Sequence, residues 1–243
     1  MPAGLLIAIG AIGCDVIASK ADSRNQPAQR RAAKPSSTQP RLALDNVVPT
    51  TLCVTKGELA GALVETPTFR AVAPGHNGDA ASIKFVVRGP TAKARALASG
   101  QQRRQVGLKL RGQDGCNLLY VMWRIDPKPK LEVSIKRNPG ARTHHDCGAR
   151  GYTKLVPTQV DVPPTLQDGL EHELRAEIVG DALVAWIDGR TMWQGAMPAE
   201  ARELTGPAGV RSDNLAFELA AIAVDARGGS DVDVKCQDHD DVE

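Results

Sequence analysis

Aromatic side chains are scarce in this chain: three Trp, two Tyr and three Phe, or 3% of 243 residues. Charge of one sign is not in excess either, since 30 Lys and Arg stand against 28 Asp and Glu for a formal net charge of +2. That balance excludes a chain-wide field able to attract nucleic acid unselectively, and no nucleic-acid partner is expected. G-x-S-x-G, H-E-x-x-H and P-loop motifs are missing, so serine hydrolase, zincin and nucleotide-hydrolase chemistries have no support. The 42% hydrophobic and 24% charged composition is that of an ordinary globule, which rules out collagen, coiled coil and wholesale disorder. What is abundant is punctuation. Twenty-three Gly and 16 Pro point to many short strands joined by tight turns.

From Gly4 to Gly13 there is no charged residue, and the apolar run Leu5-Leu6-Ile7-Ala8-Ile9 within it is too short to span a bilayer as a helix and suited to a signal-peptide core. It leads into Ala11-Ile12-Gly13-Cys14, which resembles a bacterial lipobox, although no Lys or Arg precedes the apolar run. The expectation is a signal over 1–13 and a lipidated Cys14 that holds the protein to a membrane of the cell envelope on its periplasmic or outer side, two acyl chains being enough for stable anchoring. Residues 14–41 read as a disordered basic linker: from Ser19 to Arg41 there is no Leu, Ile, Val, Met or aromatic side chain to bury. At the other end, 228–243 reads as an acidic tail with Asp231, Asp233, Asp238, Asp240, Asp241 and Glu243.

With Cys14 lipidated, four cysteines remain, an even number in a protein outside the reducing cytosol, and two disulfides are expected. Of three possible pairings, Cys53 with Cys236 is favoured because the first and last strands of a sandwich commonly lie side by side. Cys116 then pairs with Cys147, each in a polar loop. A zinc site from His144, His145 and Cys147 is the alternative, but adjacent ligands have poor geometry and no C-x-x-C accompanies them.

From Leu42 the apolar period is two rather than 3.6, the mark of strands with one buried face. Ile83, Phe85 and Val87 oppose Ser82, Lys84, Val86 and Arg88; Val106, Leu108 and Leu110 oppose Gly107, Lys109 and Arg111. Leu119, Val121, Trp123 and Ile125 oppose Leu118, Tyr120, Met122 and Arg124, and Leu131, Val133 and Ile135 point inward. Gly180-Asp181 and Asp188-Gly189 are hairpin turns. Only Lys93–Ala98 and Pro198–Leu204 could be helical. About a dozen strands over 42–227 make an all-β fold, an antiparallel two-sheet β-sandwich.

The run His172-Glu173-Leu174-Arg175-Ala176-Glu177-Ile178-Val179-Gly180-Asp181 through Asp188-Gly189 resembles a hairpin of laminin-G-like and concanavalin A-like lectin/glucanase domains, and Gly206-Pro207-Ala208-Gly209-Val210-Arg211-Ser212-Asp213-Asn214 resembles their turn into the final strand. The resemblance implies a jelly roll and a glycan or envelope component as partner. It leaves binding module, glycoside hydrolase and structural protein open. It also implies a possible structural Ca2+, with Asp213, Asn214 and Asp225 as candidates, and otherwise no cofactor.

One sheet face could carry Lys84, Lys109, Arg111, Tyr120, Arg124, Lys136, Arg175 and Glu177, side chains suited to an acidic glycan. The expected ligand-binding set is Lys109, Tyr120, Arg124, Lys136, Arg175 and Trp186, in a non-catalytic module. A hydrolase would need two carboxylates about 5–10 Å apart across the scissile bond. The E-x-D-x-x-E run of glucanases is missing, and Glu173 and Glu177 are the candidates if the protein is an enzyme.

Overall fold

A computed structural model describes residues 41–229 and 231–236. The expected signal, Cys14 and the linker up to residue 40 lie outside the described residues, as do residues 237–243 of the tail. Fifteen strands form among the described residues: β1 Leu44–Val47, β2 Cys53–Lys56, β3 Leu63–Val64, β4 Thr68–Val72, β5 Asn77–Pro90, β6 Arg104–Leu110, β7 Leu118–Asp126, β8 Lys130–Lys136, β9 Tyr152–Lys154, β10 Pro157–Val160, β11 Glu171–Val179, β12 Ala182–Ile187, β13 Arg190–Ala196, β14 Gly209–Asp213 and β15 Leu215–Asp225. They build two antiparallel sheets. One has eight strands in the order β1-β15-β5-β11-β12-β13-β10, with β3 also on β15; the other has seven, in the order β2-β4-β14-β6-β7-β8-β9.

The alternation in the sequence determines the layer between the sheets. Ile83, Phe85 and Val87, the even-numbered apolar residues of β6, Leu119, Val121 and Trp123 of β7, and Leu131, Val133 and Ile135 of β8 all enter one buried cluster. Phe85 meets Trp123 edge-on at 6.0 Å between centroids and Phe217 at 6.1 Å, so rings from both sheets interlock at the centre. The sandwich expected from period and turns is what forms.

Helix placement departs from expectation in two places. Lys93–Ala98 is not helical, because the Asn214 side chain takes both backbone polar groups of Arg95: the Arg95 N–H donates to its Oδ1 at 2.7 Å and its Nδ2 donates to the Arg95 carbonyl at 2.9 Å. His144–Cys147, read as loop, makes a helical turn, α1. Thr143 and Asp146 close a capping box there, with the Asp146 N–H donating to Thr143 Oγ1 at 3.3 Å and the Thr143 N–H to Asp146 Oδ2 at 3.2 Å. Within 198–204 only α2, Ala199–Arg202, is helical.

Both expected disulfides form, Cys53–Cys236 with Cα atoms 4.9 Å apart and Cys116–Cys147 at 5.9 Å. The reason for the first differs from the expected one. β2 neighbours β4, while the last strand β15 lies in the other sheet. The bond therefore ties β2 to the tail, and the tail is cross-linked to the sandwich. The second bond consumes the thiol that a zinc site would need. Two disulfides make this an extracytoplasmic protein. Among the described residues, no helix is long and apolar enough to cross a membrane.

Replacing Cys116 and Cys147 together by Ser opens a link spanning 31 residues and is expected to cost about 3–4 kcal/mol of stability. Urea unfolding without reductant measures this; an unchanged midpoint would refute it.

Candidate functional site

The register of the seven-stranded sheet sets its outer-face side chains in cross-strand rows. One row runs Lys56, Arg70, Arg211, Gly107, Met122, Glu132. The next holds Lys109, Tyr120, Ser134 and Lys154, and beyond it come Leu118, Lys136 and Tyr152. On the other flank stand Thr68, Asp213, Gln105, Arg124 and Lys130. Gly107 is a gap in the first row; a Cβ there would collide with the Val121 carbonyl and the Met122 sulfur, so the methionine occupies that space.

The loop 95–103 and the segment 144–149, which begins with α1, rise over this face and border a cavity of about 510 Å³. Its floor includes Tyr120 and Met122, which with Leu118 make a small apolar cluster separate from the main core. The disulfide positions one wall: Cys147 closes α1, which brings His144 to the rim, and Cys116 anchors it beside β7.

Among the lining residues Lys56, Arg70, Arg95, Arg103, Lys154 and Arg211 are cationic, against Glu132 and Asp213. Both carboxylates are already engaged. Glu132 faces Arg103 at 3.4 Å, Arg124 at 3.5 Å, Lys154 at 3.3 Å and also Lys130. Buried Asp213 accepts from Arg211 Nε at 2.9 Å and Gln105 Nε2 at 2.6 Å. The buried Nε of Arg70 has no hydrogen-bond partner.

Burial in this cationic setting shifts titrations. Lys109 is lowered to about 7, by desolvation first and then by Arg70 and Arg211, with Asp114 opposing. Lys136 is lowered to about 8 for the same reasons in the same order. His144 is lowered to about 4 by burial and by Arg70, Lys136, Lys56 and Arg211, so it is neutral at pH 7. For Arg211 burial would lower the guanidinium, but Asp213 and the rings of Tyr120 and Tyr152 more than offset it and it stays charged. Arg211 lies over the Tyr120 ring at 4.8 Å, and Tyr120 stacks on Tyr152 at 6.1 Å. Tyr152 remains 41% exposed, an open aromatic edge at the cavity mouth.

The expected ligand set divides between the two sheets. Lys109, Tyr120, Arg124 and Lys136 share the face just described. Arg175 and Trp186 do not: they sit on β11 and β12, on the outer face of the eight-stranded sheet, where the chain itself occupies them. Arg175 donates to the Leu42 carbonyl at 2.6 Å, and the Arg41 guanidinium lies over Trp186 at 5.0 Å. Lys84 belongs to that second sheet too, and Arg111, just beyond β6, pairs with Asp79. The two sets cannot converge because the sandwich core separates them.

The carboxylate pair fares likewise. Glu177, 1% exposed at its side chain, accepts from Arg175 Nε at 2.6 Å and from the Leu42 N–H at 3.0 Å. Glu173 accepts from Ser82 Oγ at 2.6 Å. Four residues along one strand separate their backbones by about 13 Å, beyond the spacing a glycosidase pair needs. Of the calcium candidates, Asp213 and Asn214 are consecutive and Asp225 lies apart at the far end of β15: Asp213 is held by Arg211 and Gln105, Asn214 by the 95–103 loop, and Asp225 by Arg227 at 2.6 Å. No cluster of three or more His, Cys, Asp or Glu able to hold a metal occurs among the described residues.

Arg70, Lys56 and Glu132 are not among the expected ligand residues, and His144 is expected only in the alternative zinc site. For Arg70 the signal was present, since Thr68-Phe69-Arg70-Ala71-Val72 alternates like its neighbours; His144 reaches the cavity only through the disulfide and the capped turn.

Lys109 makes stability rise with pH. Its folded-state value lies below that of the unfolded chain, so between about 7 and 10 the unfolded state binds more protons. Lys109→Met is expected to be more stable than the parent at pH 7 and to narrow that advantage as pH approaches 10, as followed by chemical denaturation at several pH values. An advantage independent of pH would contradict this.

No protein-family model matches the chain, and no curated protein matches its sequence. Solved structures resemble it in part. The carbohydrate-binding module CBM66 from Bacillus subtilis aligns with a TM-score of 0.48 at 11% identity, over 69% of this chain and 91% of that one. A tetrameric galectin from the ball sponge Cinachyrella aligns with 0.42 at 14%, over 65% and 99%. A putative glycosyl hydrolase from Parabacteroides distasonis aligns with 0.42 at 10%, over 72% and 88%. At such scores these likenesses assign neither ligand nor activity, and the sandwich stands on the strand register itself.

Proposed function

We propose that this extracytoplasmic protein is a non-catalytic saccharide-binding module, tethered to a membrane of the cell envelope through a lipidated Cys14, and that its binding site is the cavity on the seven-stranded sheet. One observation carries the reading. The cavity combines a part-exposed aromatic edge, Tyr152, with rows of hydrogen-bonding side chains held rigidly on strands. A sugar presents apolar ring faces and a fringe of hydroxyls, so it asks for that combination of an aromatic surface and fixed polar groups. The volume, about 510 Å³, suits a ligand of one to a few rings. Turnover has less to work with, since Glu132 and Asp213, the carboxylates lining the cavity, are each held by cations.

On a glycan array the protein is expected to bind, and Tyr152→Ala to weaken binding at least tenfold while Trp186→Ala, on the other sheet, leaves it unchanged. Equal loss from both variants, or a blank array, would refute the site. For the tether, Cys14→Ser is expected to move the protein from the membrane fraction to the soluble one and to abolish incorporation of labelled fatty acid; membrane retention by the variant would end that part of the proposal.

A further inference from the structure

We propose that the end of this cavity walled by Arg70 and Arg211, with Lys109 and Lys136 in the following rows, is an oxyanion subsite, so that the ligand is a saccharide bearing a carboxylate, sulfate or phosphate group. The inference rests on the saccharide reading and narrows it to one class.

The geometry is compact. Arg70 and Arg211 are directly paired across β4 and β14, and Lys109 stands on the adjoining strand β6, opposite Gly209, two residues from Arg211 on its own strand. Neighbouring strands are about 4.8 Å apart and successive same-face residues about 6.7 Å; Arg70 and Arg211 line the cavity and can reach one anion there, with Lys109 buried beside them. Lys136, completely buried, donates to the Gly115 carbonyl at 3.1 Å and lies over the Tyr152 ring at 5.2 Å.

Arg70, Arg211 and Asp114 act directly on Lys109, and the titratable groups around this cluster come from several elements. β4 supplies Arg70, β14 supplies Arg211 with Asp213, and β8 supplies Lys136. Lys56 comes from β2, neutral His144 from α1, the phenols Tyr120 and Tyr152 from β7 and β9, and Asp114 from the loop after β6. Of the two carboxylates, Asp213 is bound to Arg211 and Gln105, and Asp114 accepts from the Cys116 N–H at 2.7 Å and the Asn117 amide at 3.0 Å. Burying mutually repelling cations opposes folding, and the fork of Arg70 still has an unpartnered Nε. A compact oxyanion relieves both: it offers several acceptor oxygens to guanidinium and ammonium donors and offsets their repulsion.

Proton uptake follows. Lys109, lowered to about 7, is part neutral near neutral pH, and an anion beside it favours the ammonium. Binding therefore draws a proton from solvent and tightens as pH falls.

Two titrations of the full chain test this. In the first, sodium sulfate, which does not itself titrate in this range, is added at pH 6.5, 7.5 and 8.5 at constant ionic strength, in two buffers of different ionisation enthalpy. Sulfate is expected to bind with net proton uptake at pH 7.5 and at least threefold more tightly at pH 6.5 than at 8.5. Lys109→Met should at least halve the pH dependence, the remainder coming from Lys136, lowered to about 8, and Arg70→Met should weaken binding at least tenfold, each with folding checked by thermal unfolding. In the second, an oligogalacturonate and its methyl ester share ring and linkage but differ in charge, and the acid is expected to bind at least tenfold more tightly. Equal affinity for acid and ester, or no sulfate binding, overturns the oxyanion subsite and leaves the saccharide reading to the array. Arg70-dependent sulfate binding by a protein that binds no saccharide overturns the saccharide part and leaves a site for a free anion.

Discussion

The two sheets are held face to face by one apolar layer with a few interlocking aromatic rings at its centre, and the inward facing of that layer dictates what each strand presents outside. With eight aromatic residues in the whole chain, Phe69, Phe85, Phe217, Trp123 and Trp193 are all buried between the layers. Phe85 touches Trp123 from the opposite sheet, while Phe217 adjoins both Phe85 and Phe69. Once Trp123 and its same-face neighbours point inward, the pleat sends Leu118, Tyr120, Met122 and Arg124 outward with no further choice. The floor of the cavity is thus the reverse side of the core, and its rigidity derives from the packing beneath it.

On that floor the protein keeps an arrangement that costs stability. Arg211 is buried and remains charged because Asp213 and two phenol rings surround it. For Lys109 and Lys136 only Asp114 opposes burial and the neighbouring arginines, and both are lowered toward neutrality. The eight-stranded sheet manages its outer face differently. Arg88 and Glu218 pair in the open, and Arg175 and Glu177 are satisfied by the chain entering at Leu42. On the seven-stranded sheet the buried Nε atoms of Arg70 and Arg124 have no partner, and loop residues stand over part of that face.

The period of two makes legible, residue by residue, which side chains turn outward on the face that carries the candidate site. Lys109 lies opposite Tyr120, and Tyr120 opposite Ser134, because each strand's apolar set is claimed by the core. The failures have a common cause. Arg175, Trp186, Glu173 and Glu177 alternate just as cleanly, yet a strand's period says which side faces the core and nothing about which sheet it joins. His144 and the 95–103 loop depend on contacts without period: a disulfide across 31 residues in one case and the amide of Asn214 in the other.

Local rules were therefore sufficient for strands, turns and the inward face of each strand, since side-chain alternation and Gly-Asp or Asp-Gly hairpins act over a few residues. An even count of cysteines outside Cys14 points to cross-linking outside the cytosol, and the pairings Cys53–Cys236 and Cys116–Cys147 agree with that reading, though the tail reaches Cys53 along a path that strand order alone does not suggest. Strand order and register decided the rest. They put Arg70 against Arg211, brought Lys109 and Lys136 to the same end of one sheet, and sent Arg175 and Trp186 to the other. Long-range pairing between segments as far apart as β4 and β14 is set by the summed fit of two complete sheets, and no window of sequence contains that sum.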